Sequence, residues 1–474
     1  MLQAKPLRGR FSAFASIIKQ ALQGGEMDFT TGSIRRSVVL LAIPMMLEMI
    51  MESVFALVDL YFVGHLPNSS FAIQTVGLTE SVLTVIYSLA IGISMAATAV
   101  VARRVGEKDP EAAAKAGMQA IFLAVALNSV ISIAGVVYAT DILLLMGASP
   151  AAAQHGTAFT QIMMGSSIFI MLLFLINGIF RGAGNAAIAM KSLWLANIAN
   201  IILCPILING FGPIPAFGLT GAALATTIGR GTGVCYQAYH LLNRENTLKM
   251  RLSYLLPRWQ HIKSLVQIAA PAVLQFVIAS CSWIFLAQLV ATTGGDHGSA
   301  GYQTALRLLM FFMLPAWGLS NAASTLVGQN LGAQQVERAA QSVFKTAKYN
   351  FLFMLLITVL SLAGAELFVS LFTNDVQVQQ VAVRAIRIMS MGYIFYGVGM
   401  VLINAFNGAG DTWTPTWVNL FGFWLFQIPL AYLLAKYLSM GPDGVFISIP
   451  VAETAITIAG IVLFRKGKWK NVKV

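Results

Sequence analysis

Charge is what this chain has least of. Asp, Glu, Lys and Arg make up 10% of its 474 residues, against about a quarter in an ordinary soluble domain. Acidic residues are the scarcer kind, 18 against 30 basic ones, which leaves a formal net charge of +12. Cysteine is nearly missing as well. Cys204, Cys235 and Cys281 are odd in number, far apart and each set in an apolar segment, which excludes a disulfide framework and a zinc spacing. The histidines are equally dispersed, and no GxxxxGK[ST], HExxH or GxSxG pattern occurs. Direct ATP coupling through a P-loop, zinc-protease chemistry and a hydrolase elbow therefore have no sequence basis. The N-terminal stretch has no apolar core long enough for a cleaved signal peptide. Its Phe11, Phe14, Ile17, Ile18 and Leu22 can share one helix face, so residues 1–34 read as a cytoplasmic tail or an interfacial helix.

What abounds is apolar sequence: 57% of residues are hydrophobic and the mean hydropathy is +0.76. Runs of about 20 apolar residues mark membrane spans. Twelve can be set off, near 37–63, 73–101, 115–139, 157–180, 190–210, 219–241, 264–292, 301–327, 345–371, 385–406, 415–436 and 443–464. The fold class expected is an all-α integral membrane protein. Basic residues gather in the even-numbered connections and in the tails, whereas HLPNSS, NGFGPIPAFG and TTGGDHGSAG are free of Lys and Arg. That bias predicts both termini in the cytoplasm of a multi-pass inner (plasma) membrane protein. The scattered positive charge suits anionic lipid headgroups and argues against nucleic acid.

The chain repeats itself. LLAIP around Pro44 returns as QIAAP around Pro271, and the GAG triplet at Gly182 returns at Gly408, at almost the same offset. Two homologous six-helix halves follow, 35–241 and 264–464, joined by a charged cytoplasmic linker, 242–263, and ended by a basic tail, 465–474. Six spans being even, both halves enter the membrane the same way. Parallel repeats related by an axis along the membrane normal suit rocking about a central cleft.

Span one carries the chemistry that stands out. Glu48, Glu52 and Asp59 fall within about 40° of one another on a helix turning ~100° per residue. An acid at membrane depth costs at least about 2.5–3.5 kcal/mol and so needs a cation, a proton or water. Three on one stripe point to ion or proton handling as a coupled set, with pairing of Glu48 or Glu52 to Arg230 or Arg307 as the structural alternative. Glu80 in span two and Glu453 in span twelve are further intramembrane acids, for which cavity lining and structural pairing both stay open. Pro44 is a place where span one can bend. Gln275 and Trp283, on span seven, are expected to offer polar and aromatic contacts to a substrate, and Asn200 to hydrogen-bond near Asp59.

Taken in order, Pro44 with VDLYFVGHL, RRVGEKDPEAA, FRGAGNAAIAMK, GPIPAFGLTGAALAT, LVGQNLGAQQVERA and NAFNGAGDTWTP resemble the multidrug and toxic compound extrusion (MATE) family over nearly the whole chain. The resemblance implies a two-lobed, twelve-helix antiporter that exchanges H⁺ or Na⁺ for cationic or amphipathic organic compounds. It is expected to act as a monomer with no cofactor beyond the coupling ion. Asp59 stands fifteen positions after Pro44, where the family has the coupling acid of its N-terminal lobe. The chain looks closer to the DinF-like than to the NorM-like branch. Asn200 of the span-five motif is kept, but Cys204 replaces the Asp beside Pro205, and Ala279 replaces the NorM-like acid of span seven. A thiol is a poor ligand for Na⁺, so the resemblance favours H⁺. A lipid or oligosaccharide flippase of the same superfamily is the alternative, and a membrane-embedded enzyme the alternative of another class.

Overall fold

The computed structural model describes residues 7–25, 27–64, 69–243, 248 and 250–474; the side chains of 7–14, 59–60, 63–64, 69–71 and 73 lie outside the description. The first half runs α1 (Leu7–Gln23), α2 (Ile34–Gly64), α3 (Ser69–Gly106), α4 (Pro110–Val137), α5 (Ala139–Leu145), α6 (Pro150–Gly165), α7 (Ser167–Gly182), α8 (Ala186–Asn209) and α9 (Leu219–Leu242). The second runs α10 (Trp259–Gly332), α11 (Val336–Ser370), α12 (Val376–Ser390), α13 (Tyr393–Ala409), α14 (Trp413–Asn419), α15 (Ile428–Tyr432) and α16 (Pro442–Lys466). π-helical turns at Leu420–Gln427 and Leu433–Tyr437 flank α15, so that Trp413–Tyr437 is one span.

Nine of the described helices are long and apolar enough to cross a membrane, ten when the α12–α13 pair, bent by 55°, is taken as one span. One of the nine, α10, has 74 residues, about 110 Å at ~1.5 Å per residue and far too long for one crossing. It breaks at Gly295, whose φ of 60° and ψ of −157° only glycine adopts without strain. Phe276 and Trp317, on opposite sides of the break, have ring centroids 6.1 Å apart, so the two arms run back along each other as the expected spans seven and eight. The remaining span is α9, which Thr226, Thr227 and Arg230 make more polar than the others. The twelve expected spans are thus accounted for.

Local signals explain the helix starts. Asp109 and Ser149 each accept a hydrogen bond from the backbone N–H three residues on, at 2.9 and 3.2 Å, and each is followed by a proline in the first turn. Apolar packing then separates two cores. One gathers α3, α4, α6–α9 around Leu83, Ile86, Met171 and Leu175; the other gathers the outer part of α10 with α11–α13, α15 and α16 around Tyr302, Met354 and Phe446. The connection between halves is pinned from the side: Gln119 donates to the Leu256 carbonyl and accepts from the Arg258 N–H, both at 2.8 Å.

The lobes meet along α2 and α3 on one side and α10 on the other, through small residues. A side chain on Gly106 would strike the Gln329 carbonyl, and one on Gly332 would strike that of Arg103, so the helices touch backbone to backbone. Around this seam the polar contacts also cluster at the end that carries the C-terminus. Gln329 donates to the Gly182 carbonyl at 3.0 Å, Thr325 to that of Arg181 at 3.0 Å, and Arg103 to the Ala409 and Val472 carbonyls at 3.2 and 3.0 Å. Residues 28–32 bridge the lobes there. Asp28 accepts from Lys108 Nζ at 2.7 Å and from both the N–H and hydroxyl of Thr30, while Arg338 donates to the carbonyls of Phe29, Thr31 and Gly32.

Two outcomes follow. Gly106→Val should wedge the seam open at a cost of about 1–3 kcal/mol; spin labels at Glu107 and Gln334 should then move apart, and an unchanged distance would show that the seam is not a closure. Partial burial alone would raise the Asp28 pKa, but the hydrogen bonds from Lys108 and Thr30 prevail and bring it from 3.8 down to about 2. A depressed acid stabilises above its unfolded value and ceases to do so as pH falls through the folded one. Hydrogen exchange of residues 27–32 should therefore stay slow above about pH 4 and quicken towards pH 2, and no such change should occur in Asp28→Asn.

Candidate functional site in the first lobe

α2 packs against α8 and α9 because the stripe bearing Glu48 and Glu52 is where those helices offer polar groups. Glu48 is 1% exposed. Its Oε1 accepts from Asn177 Nδ2 at 2.9 Å and from the Arg181 guanidinium at 3.5 Å. Behind Asn177 lie Ser192 and Gln237, which donate to its Oδ1 at 2.9 and 2.6 Å. One turn on, Glu52 accepts from Arg230 at 3.2 Å and from Asn197 at 3.1 Å. Arg230 is 3% exposed and also donates to the Tyr87 hydroxyl at 3.1 Å, with the Phe55 ring 5.3 Å from its guanidinium carbon.

Arg230 and Tyr87 also line a cavity of about 250 Å³, together with Phe55, Glu80, Met163 and Thr226. The site is thus a half-buried acid paired with a buried guanidinium that itself lines a chamber inside one lobe. A second, smaller space between the lobes is walled by Met49, Ser94, Arg181, Trp317, Asn321 and Asn404.

The placement of the expected residues is uneven. Glu48 and Glu52 do share a face, but it looks into the first lobe, and each acid is paired with an arginine. The Arg230 partner of Glu52 was one of the two pairings the sequence left open; Arg307 is exposed, and the cation at Glu48 is instead Arg181. Asp59 lies on α2 with its side chain outside the described residues. Asn200 donates to Thr226 Oγ1 at 3.0 Å, which ties α8 to α9 beside the chamber. Pro44 lies inside α2, which runs through it as one helix. Gln275 lines none of the cavities described above. Its amide is engaged inside the second lobe, donating to Asn407 Oδ1 and the Thr412 carbonyl at 3.1 and 3.0 Å and accepting from Asn407. Trp283 does line a cavity, but one of only about 10 Å³ within the second lobe.

Two segments, 44–206 and 271–433, each match the MatE family model. The chain belongs to the MatE family. The two copies begin at Pro44 and Pro271, the prolines that mark the internal repeat, so each half is one copy. Over 443 residues it is 24% identical to a probable multidrug resistance protein NorM of Thermotoga maritima, covering 92% of this chain and 94% of that one. It is 23% identical over 426 residues to the multidrug export protein MepA of Staphylococcus haemolyticus, covering 90% and 92%. An outward-facing multidrug resistance MATE family transporter of the MOP superfamily superposes with a TM-score of 0.88 at 25% identity, over 96% of this chain and 99% of that one. This MatE chain is a multi-pass membrane transporter and not an enzyme.

Removing one member of the buried pair leaves a lone charge. Arg230→Met should cost about 3 kcal/mol in stability, read as a lower melting temperature in detergent, and Glu52→Gln added to it should recover part of the loss. Additive losses in the double variant would mean that the two groups do not interact.

Proposed function

We propose that this MatE transporter is a proton-driven multidrug exporter whose first lobe holds the coupling site. The observation that carries the reading is the pairing of Glu52 with Arg230, whose guanidinium lines the 250 Å³ chamber. With Glu52 ionised the pair is neutral, and the chamber keeps the acid Glu80 in its lining. A proton on Glu52 removes a negative charge from beside Arg230, which disfavours a cationic substrate and loosens α2 from α9. Loss of that proton towards the cytoplasm restores the pair. Asp59, two turns on, is assigned to the same titrating set, with Glu48 and Asn200 supporting it.

The likeness to a probable multidrug resistance protein and to a multidrug export protein supports the substrate class, cationic or amphipathic organic compounds. Cys204 on α8, fully buried, favours H⁺ over Na⁺ as the coupling ion, because sulfur ligates a hard cation poorly. Asn200, kept from the span-five motif, and Ala279, which replaces the NorM-like acid, favour the DinF-like branch. The lobes touch at the end that holds the C-terminus, and the bias of basic residues assigns that end to the cytoplasm of the plasma membrane. Alternating access is then a rocking of the lobes about the glycine seam in a monomer surrounded by lipid.

The test is efflux from proteoliposomes under an imposed pH gradient or an imposed sodium gradient, measured separately. Glu52→Gln should lower pH-driven export of an organic cation at least about tenfold, the size of an ordinary coupling term. Wild-type rates in both Glu52→Gln and Asp59→Asn, or efflux driven only by sodium, would overturn the assignment.

A further inference from the structure

The internal repeat gives every place in the first lobe a counterpart in the second. At the offset of the two GAG triplets, Leu83, Tyr87 and Met163 of the 250 Å³ chamber correspond to Leu309, Met313 and Met389. All three of these line the 10 Å³ cavity of the second lobe. The last span is offset by less, because the connection before it is shorter. α9 and α16 start after Gly218 and Gly441, which have φ of 55° and 60°. Just inside each helix, Gly221 and Gly444 press against the backbone of the preceding span. Aligned on these two pairs of glycines, Ile449 takes the place of Thr226, and Glu453 the place of Arg230. The two cavities are the same site in two lobes, and the buried residue at its centre has changed sign.

The partner has gone too. Ala279 stands where the first lobe has Glu52, so no carboxylate faces a cation here. Glu453 is 5% exposed, its Oε1 has no hydrogen-bond partner, and no salt bridge among the described residues includes it. The groups facing it are Tyr393 and Tyr396 of α13, Met389 of α12 and Trp283, Leu309 and Met313 of α10. Its own helix adds Ile449 and Pro450. The charged groups near that end of α12 and α16 are already paired with one another, Arg384 with Asp443 at 3.4 Å and Arg387 with Glu366 at 3.1 Å. An ionised carboxylate without a cation is costly in such surroundings. A space of about 10 Å³ takes at most about one water, and two phenols are too few oxygens for a sodium shell. A proton fits.

We propose that Glu453 is a protonation site of the second lobe, the counterpart of the Glu52–Arg230 pair, binding one proton where the first lobe binds a guanidinium. Its setting couples that proton to shape. The 55° bend between α12 and α13 falls at Met391 and Gly392, and Gly392 lies so close to Pro450 that a Cβ would be 2.6 Å from its Cα. Pro450 is one turn before Glu453. The neutral acid lets α16 close on the bend. Loss of the proton puts a charge among Trp283, Tyr393 and Tyr396, and the cavity must open to water.

This inference rests on the proton-driven reading only for its part in transport; its test needs neither drug nor gradient. Infrared difference spectra of the full-length protein in liposomes, between mildly acidic and alkaline buffer, should contain a protonated-carboxyl band that Glu453→Gln removes, Glu453→Asp shifts and Glu52→Gln leaves in place. Hydrogen exchange of residues 386–396, corrected for intrinsic rates, should rise with pH in the wild type and stay at the low-pH level in Glu453→Gln. A wild-type spectrum unchanged by Glu453→Gln, or exchange with the same pH dependence in both proteins, would overturn the proposal. Failure of pH-driven efflux with the Glu453 band intact would instead remove the coupling role of the first lobe.

Discussion

An ionised group inside a bilayer must meet a counter-charge, a proton or water, and the first lobe is built to satisfy that demand. Its paired acids lie on α2 and their guanidinium partners on α7 and α9, so that these two ion pairs form only when the helices are side by side. Glu48 with Arg181 and Glu52 with Arg230 are therefore packing determinants as well as titratable groups. The uncharged network of Asn177, Ser192 and Gln237 fixes Glu48 from behind and makes its site the more rigid of the two. Glu52 is held at the chamber only through Arg230, which lines it and also meets the Tyr87 hydroxyl.

Much of the architecture was legible because a membrane leaves few choices. Apolar length marked the spans, lack of Lys and Arg marked alternate connections, and the recurrence of Pro44 at Pro271 disclosed the two halves. Even the loop TTGGDHGSAG was placed correctly, although its turn narrows to Gly295 within an otherwise continuous helix. The α2 stripe was readable from 100° periodicity, and the pairing of Glu52 with Arg230 was one of the options it left open. The partner of Glu48 was not readable. Arg181 lies far along the chain at the end of α7, beside a turn whose basic residue reads as topology signal, and nothing in its local sequence says that it turns inward. Gln275 was misleading for a related reason: a polar residue on an apolar span suggests a ligand, but here it satisfies Asn407 and the backbone near Thr412.

The equivalence of Arg230 and Glu453 was hidden by a shift of register. At the spacing that aligns most of the two halves, Glu453 falls close to Thr226, and the last span looks unrelated. The helix starts at Gly218 and Gly441 restore the register, because the turn before α9 is longer than the one before α16. One lobe keeps a roomy chamber with a salt bridge in its wall; the other has packed the same space with tyrosine, tryptophan and methionine around a single acid.

Helix α3 serves the seam and the chamber with different faces: Gly106 meets the backbone of α10, while Leu83 and Tyr87 look into the first lobe. The two duties therefore make separate demands on evolution. Substitutions around Tyr87, Met163 or Thr226 can reshape the chamber without touching the surfaces where the lobes meet. Gly106 and Gly332 have no such latitude, since any larger residue strikes a carbonyl of the facing helix. A lineage of such proteins is free to vary the lining of one lobe while the junction between the lobes stays nearly fixed.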